Sequence, residues 1–141
     1  MDEKKFLKNQ CKLNFKENLK SDKMTNKEKG YHYEGKAIKL LESEGYEVLE
    51  KNYTVKGGEI DIIAQKNDCI VFFEIKYRRT SNYGSGIEAV NREKMRRIYR
   101  TAKKYLYNKK CYDFSYRFDL IAYNGEVYEW LENILWGEEY E

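Results

Sequence analysis

Residues 57–77, Gly-Gly-Glu-Ile-Asp-Ile-Ile-Ala-Gln-Lys-Asn-Asp-Cys-Ile-Val-Phe-Phe-Glu-Ile-Lys-Tyr, constrain the fold more than any other stretch of the chain. Two runs rich in β-branched and aromatic residues, 59–64 and 70–76, flank the turn residues Lys66-Asn67-Asp68-Cys69. A hairpin symmetric about Asn67 and Asp68 sets Asp61 opposite Glu74 and Glu59 opposite Lys76. Period-two alternation then places Glu59, Asp61, Glu74 and Lys76 on one face and Ile60, Ile62, Phe73 and Ile75 on the other. Facing side chains in an antiparallel pair sit roughly 5 Å apart, where two carboxylates repel. A cation between them removes the conflict.

The rest of the chain is one domain's worth of sequence at 141 residues. Residues 1–29 are lysine-rich with a thin apolar stripe, which predicts a mobile extension before a domain over 30–128 and an acidic, aromatic tail over 129–141. Met24 opens the run into the first convincing element, so translation is expected to start there. Three cysteines, Cys11, Cys69 and Cys111, show no CxxC spacing and argue against a disulfide framework or a structural zinc site. Without an apolar run of membrane-spanning length or a signal-peptide core, the expected location is the cytoplasm, with no membrane partner.

In chain order, Tyr33, Ala37, Leu40 and Leu41 predict a helix over 31–44, closed by Gly45. Glu34 then falls in its first turn, where the helix dipole favours an acid. A strand over 46–55 leads through Gly57-Gly58 into the hairpin. The loop 78–86 carries Arg78, Arg79, hydroxyls and glycines, a composition suited to phosphates and equally to any surface loop. The helix predicted over 87–108 buries Val90, Ile98, Ala102, Tyr105 and Leu106 and turns Arg92, Arg96, Arg100 and Lys103 outward. Lys94, four residues from both Val90 and Ile98, interrupts the packed face; its stem can lie along the core while its tip reaches a polar pocket or solvent. A strand over 117–123 and an Asn124-Gly125 hairpin follow, into a short strand over 126–128. Leu131, Ile134, Leu135 and Trp136 predict a short terminal helix or an aromatic plug.

Charge is unevenly spread. Residues 91–110 hold nine Lys or Arg, Arg97 among them, against one acid, whereas 126–141 hold six acids and no base. The asymmetry points to a polyanionic partner, against the plainer reading of a solvated helix face. Mg²⁺ needs only one or two carboxylates plus substrate phosphate, and Asp61 with Glu74 supply such a pair. Lys76, on the same face, is placed to stabilise charge on a scissile phosphate. A solvent-facing Glu59–Lys76 ion pair accounts for those two residues but leaves Asp61 against Glu74 unexplained. His32 is the sole histidine, which removes histidine dyads and multi-histidine metal sites. No Gly-rich loop with Lys-Ser/Thr is present, which removes P-loop chemistry.

An acid on the first helix, then Asp, then Glu-x-Lys across a hairpin resembles the PD-(D/E)xK nuclease pattern, standing here as Glu34, Asp61 and Glu74-Ile75-Lys76. More closely, Glu34-x-x-Ala37, Gly45-Tyr46, Asn52-Tyr53, Gly58-Glu59-Ile60-Asp61-Ile62-Ile63-Ala64, Phe73-Glu74-Ile75-Lys76-Tyr77-Arg78 and Arg117-Phe118-Asp119 resemble the YraN-like family, itself similar to archaeal Holliday-junction resolvases. The resemblance covers roughly residues 30–123. Tyr33 stands where a glycine commonly precedes the helix acid, and Asn91-Arg92 replaces a proline-containing start before Lys94.

The resemblance implies an α/β, restriction-endonuclease-like single domain with a mixed central β-sheet flanked by helices. It implies Mg²⁺ or Mn²⁺ at Asp61 and Glu74, with Glu34 a further acid at the metal and Lys76 the catalytic lysine. Glu59 and Lys94 become supporting residues, and a homodimer is expected. The expected function is metal-dependent endonucleolytic hydrolysis of DNA, branched or single-stranded. Phosphates would be held by Arg78, Arg79, Arg92, Arg96, Arg97, Arg100 and Lys103. The alternatives are a non-catalytic or partner-dependent nucleic-acid binding module, and a protein adaptor docking through the acidic C-terminus.

Overall fold

Local capping sets the first boundary. In the computed structural model, which describes residues 24–78 and 91–135, Thr25 accepts a hydrogen bond from the Glu28 N–H at 3.2 Å and starts helix α1, Asn26–Ser43. Gly45, at φ +89°, ends it. The helix therefore begins earlier than residue 31, and Glu34 lies well inside it rather than in the first turn. The dipole explanation for Glu34 fails; Glu28 is the first-turn acid.

Strands β1 (Glu47–Val55), β2 (Gly58–Lys66) and β3 (Cys69–Tyr77) follow as an antiparallel meander. Asn91 accepts from the Lys94 N–H at 2.7 Å and caps helix α2, Arg92–Asn108, so this helix starts later than residue 87. Val90, Arg79 and the rest of 79–90 lie outside the described residues, as do 1–23 and 136–141. Helix α2 carries the chain back across the sheet, which allows β4 (Ser115–Asn124) to pair in parallel with β3. Asn124-Gly125 then returns it as β5, Val127–Leu131. The result is a five-stranded mixed sheet in the order β1-β2-β3-β4-β5. A strand thus stands where the first part of a terminal helix or plug was predicted, and it runs past Tyr128; Leu135 tucks into the core.

Each face of the sheet is covered by one helix. Tyr33, Ala37 and Leu41 of α1 pack on Ile62, Val71, Phe73 and Ile121. Ile98, Ala102 and Tyr105 of α2 pack on Ile60, Ile63, Phe72 and Phe118. Ile60 and Ile62 lie in opposite cores, which corrects the alternation expected for β2. Asn52, at φ +51°, sits in β1 between the pairs Lys51–Ile62 and Tyr53–Ile60, across from Asp61. Asparagine tolerates this left-handed conformation, and the kink it allows interrupts the regular pleat at Asp61. Among the described residues no helix is long and apolar enough to cross a membrane.

Helix α2 approaches β2 closely at Gly58. A Cβ there would meet the Thr101 hydroxyl, with the Arg97 carbonyl 3.2 Å away. Because backbone and a hydrogen-bonded hydroxyl cannot move aside easily, Gly58→Ala is expected to destabilise the domain by about 1–3 kcal/mol. Thermal unfolding checks this; an unchanged midpoint would mean that α2 can slide away from the strand.

Candidate functional site

The site forms where β2 and β3 part. Their paired residues run from Lys66–Cys69 to Ile62–Phe73, the predicted register, and stop there. At the next position the Asp61 carboxylate accepts the Ile75 N–H at 2.9 Å, in place of a strand-to-strand backbone bond. The expected Glu59–Lys76 pairing is absent. Glu59 lies opposite Thr54 of β1, and Lys76 turns to Glu74 instead.

Glu74 is buried, with 7% of its side chain exposed, and one carboxylate oxygen receives two ammonium groups. Lys94 Nζ from α2 lies 2.6 Å from Oε1, and Lys76 Nζ lies 3.4 Å from the same atom. The interruption that Lys94 makes in the apolar face of α2 is explained by this contact: its stem packs and its tip neutralises a buried acid.

Charge around the pair is unbalanced. Burial, reinforced by the Glu74 charge and only partly opposed by the Ile75 N–H, pushes Asp61 up to about 8. Burial also raises Glu34, with Glu59 and Glu74 adding to the effect and a hydrogen bond from Asn52 opposing it. Lys76 is lowered by burial and then by neighbouring Lys94. For Lys94, burial works against the ammonium, but its bond to Glu74 prevails and raises it. The shorter contact belongs to the lysine that keeps its proton more firmly.

Asp61 and Glu74 offer hard oxygen donors and no nitrogen or sulfur, a chemistry suited to Mg²⁺ or Mn²⁺. A divalent cation would also favour the charged form of Asp61, which burial and the Glu74 charge disfavour. Glu34 acts on both carboxylates through its charge. Among the described residues no group of three His, Cys, Asp or Glu side chains gathers closely enough to hold a metal ion. The remaining coordination would fall to water and substrate.

A cleft of about 670 Å³ opens between the β1–β2 turn and the start of α2, lined by Thr54, Gly58, Glu59, Asn91, Lys94 and Arg97 among others. Lys94 connects this cleft to Glu74. Along α2, Arg92, Arg96, Arg100 and Lys103 are exposed. Arg97 is exposed as well, but its guanidinium is held by Glu93 at 2.6 Å. Lys103 lies over the Tyr99 and Tyr116 rings, 5.9 and 5.3 Å from their centres. Arg78 extends the β3–β4 ladder, its N–H donating to the Tyr123 carbonyl. Asn52 stood in the sequence as part of the resemblance with no role of its own; its side chain meets Glu34 and its backbone kinks β1. An asparagine inside a strand was the available signal.

The raised Asp61 has a thermodynamic consequence. Its neutral form is favoured in the fold, so the folded chain holds a proton that the unfolded chain releases. Stability without metal should therefore fall as pH rises from near the ordinary aspartate value of 3.8 to about 8, and then level off. Asp61→Asn keeps an oxygen for Ile75 and removes the charge, so it is expected to raise the metal-free melting temperature at pH 8 by at least ~4 °C, a gain that fades toward pH 4. Melting curves across that range check the sign; a loss at pH 8 would contradict it.

A family model described as "Uncharacterised protein family UPF0102" matches residues 33–123, which contain Glu34, Asp61, Glu74 and Lys76. A UPF0102 protein of Fusobacterium nucleatum subsp. nucleatum is 47% identical over 116 residues, 82% of this chain and 98% of its own length. One from Sulfurihydrogenibium sp. is 44% identical over 110 residues, 78% and 96% of the two chains. Another, from Clostridium perfringens, is 45% identical over 105 residues, 74% and 86%.

Proposed function

The chain belongs to the UPF0102 family, and we propose that it is a restriction-endonuclease-like enzyme that hydrolyses DNA phosphodiester bonds with Mg²⁺ or Mn²⁺. The observation that carries this reading is the buried contact of Asp61 with Glu74 at a parted hairpin end, with Lys76 on the same Glu74 oxygen. A structural hairpin has no use for two carboxyl groups buried against each other there, since burial disfavours the charged form of Asp61.

Asp61 and Glu74 would hold the cation, with Glu34 as a further acid at the metal. When bound, the cation supplies charge that offsets the negative charge building on the phosphate and makes an attacking water more acidic. Lys76, its proton loosened by burial, orients that water or stabilises charge on the phosphate. The water oxygen bonds to phosphorus as the opposite P–O ester bond breaks; the water gives up a proton to solvent, and the leaving oxygen takes one from solvent. The exposed Arg92, Arg96, Arg100 and Lys103, with Arg97, form a basic face that contacts backbone phosphates, and Arg78 with Arg79, the latter outside the described residues, is assigned the same task from sequence. Branched or single-stranded DNA is the proposed substrate.

Cleavage of linear duplex, single-stranded and four-way DNA with and without Mn²⁺ tests the function. Metal-dependent cutting of at least one substrate is expected; its absence with all three would overturn the reading. DNA affinity should fall with salt, and each of Arg92, Arg96 or Arg100 changed to Ala should reduce the slope of log affinity against log salt by about 1. A slope unchanged in all three variants would move the DNA off this helix. One observation favours a second reading, a binding module without turnover: Glu74 already has both its lysine partners. That reading requires salt-sensitive binding, no cleavage, and indifference to Asp61→Asn.

A further inference from the structure

Two ammonium groups on one oxygen are more than a single carboxylate needs. Lys94 Nζ is 2.6 Å and Lys76 Nζ 3.4 Å from Glu74 Oε1, and each lysine lies within reach of the other's charge. The arrangement is balanced only while Glu74 stays free for them. A divalent cation on Glu74 would bring two more positive charges to the same oxygen and force at least one ammonium to find another anion. Lys94 is the one with somewhere to go. It lines the 670 Å³ cleft, its side chain is 37% exposed, and Arg97, three residues on along the same helix, lines the cleft with it. Lys76 is held on β3 and is more enclosed. The anion best able to receive Lys94 in a cleft that it shares with Arg97 is a phosphodiester of the substrate.

We propose that Lys94 is an exchangeable counter-ion. It neutralises Glu74 while the cleft is empty and moves to a nucleic-acid phosphate when the cleft is filled, so that nucleic acid and divalent cation strengthen each other's binding. This rests on the nuclease reading above and assigns Lys94 a positioning role within it. Metal alone must displace a short, charge-assisted contact, and nucleic acid removes that competitor. By linkage the metal strengthens nucleic-acid binding by the same factor. Glu74 is thereby kept from binding cations strongly when no substrate is present.

Calorimetric titration with Mn²⁺ tests the proposal without any cleavage readout. It is run on the full chain, alone and with a short phosphorothioate oligonucleotide that keeps its backbone charge. In the wild type, the oligonucleotide is expected to tighten Mn²⁺ binding by about tenfold, a typical coupling. An uncharged methylphosphonate oligonucleotide should produce no such effect. Lys94→Met should bind Mn²⁺ more tightly than the wild type without nucleic acid, with a change of less than about twofold when the phosphorothioate is added. Lys94→Arg, which keeps the cation on a similar stem, should restore the coupling and guards against misfolding of the methionine variant. Equal Mn²⁺ affinity in wild type and Lys94→Met, or coupling that survives in Lys94→Met, overturns the proposal and leaves the nuclease reading standing. Failure of the folded wild type to bind Mn²⁺ under any of these conditions overturns both.

Discussion

Lys76→Ala is expected to lower metal-dependent DNA cleavage by about 10²–10³-fold in kcat, on the scale of losing one preorganised group that stabilises transition-state charge. The side chain is partly enclosed, touches Glu74 and carries a proton loosened by burial, so it is suited to act on a water or a developing oxyanion. The fold should survive the change, since Lys94 remains on Glu74 at the shorter distance. DNA binding should change little, because the basic face lies on α2. A single-turnover assay with bound DNA separates the two effects. Cleavage by Lys76→Ala within tenfold of the wild type would remove Lys76 from the chemistry.

The second large effect is on stability. Asp119 is fully buried on β4, and its carboxylate ties together three elements of the fold. It accepts from Arg117 Nε at 3.1 Å, from Trp130 Nε1 of β5 at 2.9 Å and from the Asn133 N–H at 2.9 Å. Asp119→Ala would leave an indole N–H and a backbone N–H without their acceptor and the Arg117 guanidinium with only Tyr46 and a distant Glu132. The expected loss is about 3–5 kcal/mol in urea unfolding, the cost of breaking a buried, hydrogen-bonded charge pair from one side. Asp119→Asn should fall between. Cleavage per folded molecule should be unchanged, which separates a structural anchor from a site residue. A loss below 1 kcal/mol would show that water readily replaces the carboxylate.

What could be read from sequence divides along physical lines. The hairpin register was legible because Asn67-Asp68 marks the turn and the flanking runs are strongly β-forming; the observed Ile62–Phe73 pair follows directly. The nearness of Asp61 to Glu74 follows from the same register. The break at Asp61 was not legible, because period-two reasoning assumes an unbroken strand. One left-handed residue, Asn52, suffices to interrupt it and to place Ile60 in the opposite core from Ile62. The Lys94–Glu74 contact joins elements distant in sequence; only the polar interruption on a packed helix face hinted at it. The position of Glu34 depended on the Thr25 cap, whose signal was weak beside the lysine-rich segment before it. Strand β5 mixes Glu129 with Val127, Tyr128 and Trp130, a pattern that does not choose between strand and helix until Asn124-Gly125 folds it back on β4.

Diffraction from a crystal grown with Mn²⁺ and the phosphorothioate oligonucleotide, recorded to show manganese by anomalous scattering, tests the metal site most directly. The expected result is manganese bound by oxygens of Asp61 and Glu74 at about 2.2 Å, with Lys94 withdrawn from Glu74 onto a backbone phosphate. Manganese elsewhere or absent, with Lys94 still on Glu74 and the oligonucleotide in the cleft, would contradict it.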